Sequence, residues 1–203
     1  LASLEVGKCS HAAAKYAVEH WHYSHSMPVG KMVTIGAWED KRFIGCVIFS
    51  RGACPWLGAE FGLTGQTEVC ELTRVALDKH ESKVTEILSK SIKILHQTNP
   101  GLQLIVSYAD MNQNHLGKIY QANSWIYVGL TGVGSTSQFI INGKIVHNRT
   151  VSMLGWKANI KWLREHIDKN AQKLPNNGKH KYLYPLNKKM RKSIEKFRKP
   201  YPK

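Results

Sequence analysis

A mixed α/β fold built on one central sheet is predicted by three observations on this 203-residue chain. Between Glu68 and Tyr127, apolar runs of strand length (EVCELTRVAL, LQLIVSYAD, SWIYVG) alternate with segments of helical period (VTEILSKSIKILHQ, NHLGKIYQAN). That alternation is the pattern of βαβ units on largely parallel strands. The run Leu102–Ala109 is apolar almost throughout, as befits a central strand covered on both faces. Polar residues (Arg74, Asp78, Ser107, Tyr108, Asp110) gather at the carboxyl ends of these strands, where open α/β sheets bind ligands.

The elements follow in order. Leu4–Lys8 reads as a first strand, and Ser10 as the N-cap of a helix with Ala13, Tyr16, Ala17 and Trp21 at helical spacing. HYSHSMPVGK is irregular at Pro28 and Gly30. Strands Met32–Trp38 and Phe43–Ser50 flank a tight turn at Glu39-Asp40-Lys41. Residues 51–67, rich in Gly and small residues, read as a long functional loop rather than a core element. Strand Val69–Leu77 leads to a helix over Ser82–Gln97, stopped by Asn99-Pro100-Gly101. Strand Leu102–Ala109 precedes a short helix that turns Leu116, Ile119 and Tyr120 inward and ends at Asn123. After strand Trp125–Gly129, Asn142-Gly143 between two apolar runs marks a hairpin. A basic amphipathic helix from Gly155 places Trp156, Ile160, Leu163 and Ile167 on one stripe, and the last 30 or so residues lose that period. These patterns divide the chain into a domain over 1–154 and a basic helix and tail over 155–203.

Twenty-nine Lys and Arg against fourteen Asp and Glu give a net charge of +15, which implies a polyanionic partner, most often nucleic acid. No apolar run reaches the length of a membrane span, and no basic helix has a strongly apolar opposite face. The four cysteines show no C-x-x-C spacing, so a reduced, cytoplasmic protein is expected. Lys and Arg interleave with Tyr, Phe and Pro in the tail, which suits phosphate neutralisation with aromatic stacking. Arg51, Lys179, Lys181, Lys188, Lys189 and Arg191 are the candidate nucleic-acid contacts.

The element order resembles the Gcn5-related N-acetyltransferase fold. The resemblance implies a mixed, mostly antiparallel sheet whose fourth and fifth strands, parallel and central, splay apart around an acyl donor. It also implies that the helix after the fourth strand turns its N-terminus to the donor's phosphates. The corresponding loop here, DKHESKVT, lacks the R/Q-x-x-G-x-G/A pattern of coenzyme A-binding members. The words HYSHSMPVGK, ELTRVAL, IVSYAD and HLGKIYQA resemble the phage Mom family. That resemblance implies DNA hypermodification in the host bacterial cytoplasm, converting adenine to N6-carbamoylmethyladenine and shielding double-stranded phage DNA from restriction.

Under this reading Asp110 takes the adenine amino proton or orients a neighbouring group, and a hydroxyl from Ser107 or Tyr108 polarises the acyl carbonyl. Alternation sends Ser107 and Tyr108 to opposite faces; the plain structural alternatives are a helix cap at Asp110 and a small core residue at Ser107. Glu71 and Arg74, three apart on one strand, also fall on opposite faces; either they face outward to other partners, or one of them lines the cleft, with Arg74 suited to a phosphate or carboxylate. Tyr23 and Ser26 reach toward substrate from their loop, Tyr120 is placed to protonate a leaving group, and Ser82, Lys83 and His115 complete the donor-side candidates. His20, His22 and His25 match no standard zinc spacing. No metal site is assigned; the family's association with iron keeps a His/Tyr/Asp site including Asp110 open.

The donor is left between glycyl-tRNA and an acetyl-coenzyme A or glycyl thioester. A glycyl group on the adenine amino nitrogen is an isomer of the carbamoylmethyl product: its free amine attacks ring carbon C6, expels the amide nitrogen and requires no redox step. Two competing readings are an ordinary acetyltransferase using acetyl-coenzyme A and a non-catalytic DNA-binding protein. The oligomeric state is not read from the sequence.

Overall fold

The computed structural model describes residues 2–52, 54–65, 67–134 and 138–203. The chain forms two compact units, one of residues 1–109, 117–129 and 181–203 and the other of residues 110–116 and 130–180.

In the first unit, β1 (Leu4–Lys8), β2 (Met32–Glu39), β3 (Arg42–Ser50) and β4 (Val69–Leu77) pair antiparallel in sequence. The Asp40-Lys41 turn has φ values of 45° and 68°, the doubly positive geometry that matches the twist of hairpin strands. β5 (Leu104–Asp110) then runs parallel to β4. The largely parallel sheet read from strand and helix alternation is therefore mostly antiparallel, with one parallel central pair. α1 (His11–Trp21) is capped by Ser10, which accepts the Ala13 N–H, and buries Ala14, Ala17 and Val18. α2 (Val84–Thr98) buries Ile87, Leu88, Ser91, Ile92 and Leu95. It starts two residues after the expected Ser82. α3 (Lys118–Ala122) ends at Asn123 as expected, and β6 (Ile126–Thr131) follows. The strand expected from Leu102 starts at Leu104, because the Leu102 N–H closes a turn onto Asn99 O.

The tail, which carries no period in the sequence, is nonetheless ordered into the sheet: residues Lys179–Pro185 form a strand that lies between β5 and β6 in a sheet of seven. Tyr182 and Leu183 are fully buried and join different core clusters, Tyr182 with Trp125 and Leu88, Leu183 with Val106 and Ile126. The Leu186 N–H bonds to Gln103 O, and the tail returns along β6 through Lys199 N–H to Tyr127 O and Tyr201 Oη to Trp125 O at 2.7 Å. These contacts tie residues 181–203 to the first unit. The loop over 51–67 also differs from expectation: Leu57, Phe61 and Leu63 are buried in the Leu183 cluster.

The second unit has its own core of Phe139, Ile141, Val151, Leu163 and Ala171. Its three-stranded sheet takes the expected hairpin, β7 (Gln138–Ile141) and β8 (Lys144–His147), turning at Asn142 and Gly143 with φ of 49° and 74°, and adds β9 (Gln172–Lys173). The helix expected from Gly155 begins only at Ile160, as α5 (Ile160–His166), and a separate helix, α4 (Asn148–Met153), ends before Gly155. Asn159 caps α5 by accepting the N–H groups of Lys161 and Trp162, so Trp156 lies outside it. In chain order the Lys179–Pro185 strand is β10, and α6 (Lys188–Ile194) follows it. Among the described residues no helix is long and apolar enough to cross a membrane.

Because Leu183 is fully buried in a cluster with Val106 and Ile126, Leu183→Ala is expected to cost about 2–5 kcal/mol in urea denaturation. Deleting residues 179–203 is expected to abolish cooperative unfolding.

Candidate functional site

The parallel ladder between β4 and β5 is short. It pairs Val69–Leu72 with Leu104–Ser107 and goes no further, whereas β4 stays paired with β3 out to Leu77. Ser107 stands at the last rung: its hydroxyl donates to Leu72 O at 2.9 Å and lies 2.8 Å from Tyr120 Oη. Beyond this rung β4 and β5 share no further register, and polar side chains collect there.

A β-bulge shapes the β4 side. Ile48 pairs with Arg74 and Phe49 with Leu72, which leaves Thr73 as the extra residue, its hydroxyl on Ile48 O at 3.1 Å. One inserted residue reverses the alternation of the strand. Glu71 and Arg74 therefore do not fall on opposite faces as a regular strand would place them, and the Glu71 carboxylate acts directly on the guanidinium. Burial holds the Arg74 pKa below its ordinary value, against the pull of Tyr23 and Glu71. The guanidinium is committed to carbonyls, Nε to Ser26 O at 3.0 Å and Nη1 to Thr73 O at 2.7 Å. Arg74 thus braces the 22–31 loop against the bulge, and Ser26 contributes its carbonyl.

On β5, Ser107 and Tyr108 take opposite faces as alternation requires, Tyr108 packing toward Leu57, Phe61 and Leu63. Burial raises the pKa of the Tyr108 phenol, reinforced by the charge of Glu71. Burial likewise pushes Tyr120 up to about 12, opposed by Ser107 and reinforced by Tyr23 and Glu71. Glu71 thus lies within electrostatic reach of Arg74, Tyr108 and Tyr120. Gly52 lies against its carboxylate: a Cβ there, at φ +75°, would come within 2.7 Å of Glu71 Oε2. Sequence reading passed over Gly52 and the bulge at Thr73. A glycine just after an apolar strand was the available signal for the first, and a bulge leaves no local signature in the residue types.

Other candidates are placed elsewhere. Asp110 belongs to the second unit, where its carboxylate caps the following turn through the Asn112 N–H at 2.9 Å and pairs with Lys179 at 3.5 Å. His115, in the same unit, is exposed. Ser82 and Lys83 lie in the loop before α2, with Lys83 as N-cap without a side-chain bond. Lys181 pairs with Glu60 and lies 4.8 Å over the Phe61 ring. Lys188, Lys189 and Arg191 are exposed on α6, as is Arg51 in its loop. The rings of His20, His22 and His25 bond respectively to Tyr16 O, Ser24 Oγ and Glu19 O. Among the described residues no group of three or more His, Cys, Asp or Glu could hold a metal ion.

Comparison with known proteins agrees with this architecture. A family model described as the Mom protein family matches residues 3–203. The chain is 22% identical over 198 residues to the methylcarbamoylase mom of Escherichia phage Mu, covering 94% of this chain and 80% of that protein. Among solved structures it is similar to an N-acyl amino acid synthase from uncultured soil microbes, with a TM-score of 0.52 at 11% identity over 97% of each chain. It is also similar to spermidine N-acetyltransferase from Vibrio cholerae, with a TM-score of 0.52 at 9% identity over 94% of this chain and 98% of the other. The fold is that of the acetyltransferases, with β10 rather than the Asn142-Gly143 hairpin as the last strand of the main sheet.

The raised pKa of Tyr120 makes a signed prediction. The folded chain holds a proton on this phenol between about pH 10, the ordinary tyrosine value, and about 12, where the unfolded chain has lost it. Stability from this group is therefore complete below pH 10 and lost as pH rises toward 12. Tyr120→Phe is expected to reduce that alkaline loss, read from denaturation midpoints between pH 9 and 11.5.

Proposed function

Because this chain belongs to the Mom family, we propose that it is a transferase that modifies adenine in DNA, passing an activated two-carbon acyl unit to the amino nitrogen of an extruded base. The observation that carries this reading is the end of the β4–β5 ladder at Leu72 and Ser107, with the Glu71 carboxylate on the rung before it and the phenols of Tyr108 and Tyr120 within that carboxylate's electrostatic reach. Acyl transfer to a weakly nucleophilic exocyclic amine needs a base for the amine proton, a donor for the acyl oxygen and an acid for the leaving group.

Glu71 is the base in this scheme. It is the carboxylate whose charge reaches both phenols and Arg74, and Arg74 in turn secures the loop that carries Tyr23 and Ser26. Asp110, spent on the turn at Asn112 and on Lys179, shapes its own segment. Tyr120, oriented by Ser107, stays protonated at neutral pH and delivers a proton to the departing group. Tyr108, also held neutral, donates to the acyl oxygen. Water exclusion by Leu57 and Phe61 strengthens the hydrogen bond from Tyr108.

The product follows without a redox step if the acyl unit is glycyl. The adenine nitrogen forms an amide and the donor's ester or thioester bond breaks. The glycyl amine then attacks C6, the bond from C6 to the first nitrogen breaks, and that nitrogen leaves as the terminal carboxamide. No atom is gained or lost in this second step, and the result is N6-carbamoylmethyladenine, a base altered at the edge that restriction enzymes read.

The chain's charge suits a grip on the DNA backbone while one base is extruded. Residues 181–203 carry nine Lys and Arg against one Asp or Glu, and Lys188, Lys189 and Arg191 stand exposed on α6. Each phosphate so neutralised steepens the salt dependence of binding.

Nucleoside mass spectrometry of DNA co-expressed with this chain tests the reading: adenine heavier by one carbamoylmethyl group is expected, and unmodified adenine from folded protein overturns it. Glu71→Gln is expected to lower the modified fraction by about 10²–10⁴-fold without a matching loss of stability. Labelled glycyl-tRNA supplied to the purified chain and DNA is expected to transfer its label.

A further inference from the structure

The acetyltransferase fold implies an acyl donor carried by coenzyme A, and the loop that would hold its phosphates can be tested against the residues present. A phosphate-binding loop offers backbone N–H groups from the turn that opens a helix, with glycines so that the backbone closes on the anion. Set with its last position on the first residue of α2, the R/Q-x-x-G-x-G/A pattern falls on Lys79-His80-Glu81-Ser82-Lys83-Val84. Ser82 and Val84 stand where the glycines belong.

The amides themselves are engaged. Glu39, the last residue of β2, is 5% exposed. Its carboxylate accepts the Glu81 N–H at 3.0 and 3.1 Å and the Ser82 N–H at 2.5 Å. Arg42, across the tight turn, lies 3.7 Å from the same carboxylate and also binds Asp78 and Lys79 O. A buried carboxylate is tolerable only with such donors, and charge-assisted bonds of this kind are the strong ones. The Ser82 hydroxyl and amide, then the Glu81 amide and the nearby His80, hold the Glu39 pKa below the usual carboxylate range.

We propose that Glu39 is a built-in anion filling the phosphate seat of the donor loop, so that this chain takes its acyl group from a donor anchored outside that loop and not from coenzyme A. An incoming pyrophosphate would have to displace a carboxylate that has no other buried partner of equal quality, and would meet its charge at close range. An aminoacyl ester on an RNA 3′ end has no such requirement, since its phosphates extend along a backbone that surface cations can hold. The inference rests on the acyl-transfer reading above and narrows its donor.

Calorimetric titration of coenzyme A and inorganic pyrophosphate into the full chain tests it. The wild type is expected to show no saturable binding of either up to about 1 mM. Glu39→Ala, with unchanged circular dichroism, is expected to bind pyrophosphate at least about tenfold more tightly. Micromolar binding of coenzyme A by the wild type overturns the proposal, as does a folded Glu39→Ala variant that gains nothing. If that variant does not fold, Glu39→Gln keeps an acceptor without the charge: pyrophosphate is then expected to raise its melting temperature and not that of the wild type, and equal responses overturn the proposal. Glu39→Gln also carries a signed check. The native carboxylate contributes stability above the ordinary glutamate pKa, and that contribution is lost as pH falls through its lowered folded value, so the difference between wild type and variant should shrink on acidification. Coenzyme A binding would sink this inference and leave adenine modification standing; unmodified DNA would do the reverse.

Discussion

The proposed chemistry depends on one ladder that stops early. Four rungs join β4 to β5, and the hydroxyl of Ser107 closes the last by donating to the Leu72 carbonyl. One residue further along β4, Thr73 drops out of register with β3. The two events are adjacent, and their effects combine. Beyond the last rung β4 and β5 share no register, and the bulge turns Glu71 and Arg74 to a common side. A regular strand would have separated them.

Much of this framework was legible in the residues, and the legible parts share a cause. Ser10, Asn123 and Asn142-Gly143 act through local backbone chemistry, so the cap, the stop and the hairpin were readable from a few adjacent positions. The strand Val69–Leu77 was readable to the residue because its apolar run is bounded by turns. What could not be read depended on distant partners. KYLYPL looks like one more basic, aromatic stretch until Trp125, Leu88 and Val106 are known to surround Tyr182 and Leu183. The apolar residues of the 51–67 loop are separated by glycines and carry no period, yet three of them are core. Glu39 beside a hairpin turn reads as an ordinary exposed carboxylate, and only the fold brings the amides of Glu81 and Ser82 to it.

The excess charge is unevenly distributed. Residues 181–203 and the second unit together hold more than half of the Lys and Arg, the latter with eight against three acidic residues. Some of this charge is used internally, at Lys179 with Asp110 and Lys181 with Glu60. The remainder is concentrated on late segments of the sequence that also complete the core, so this charge cannot be trimmed away without touching the fold. Lys181 shows this within one residue, its ammonium lying over the Phe61 ring while paired with Glu60.

That β10 lies beside β5 has a further consequence for how the molecule is made. β5 ends at Asp110, and its neighbour begins only at Lys179. During synthesis the open flank of β5 must wait for the whole of the second unit to leave the ribosome before it is covered. Such a sequence-distant pairing is slow to form, and a strand edge left bare in the meantime invites other chains. The self-contained core around Phe139 and Leu163 can condense during that interval. Its early collapse would bring the two ends of the segment closer and shorten the search by which the final strand finds its place.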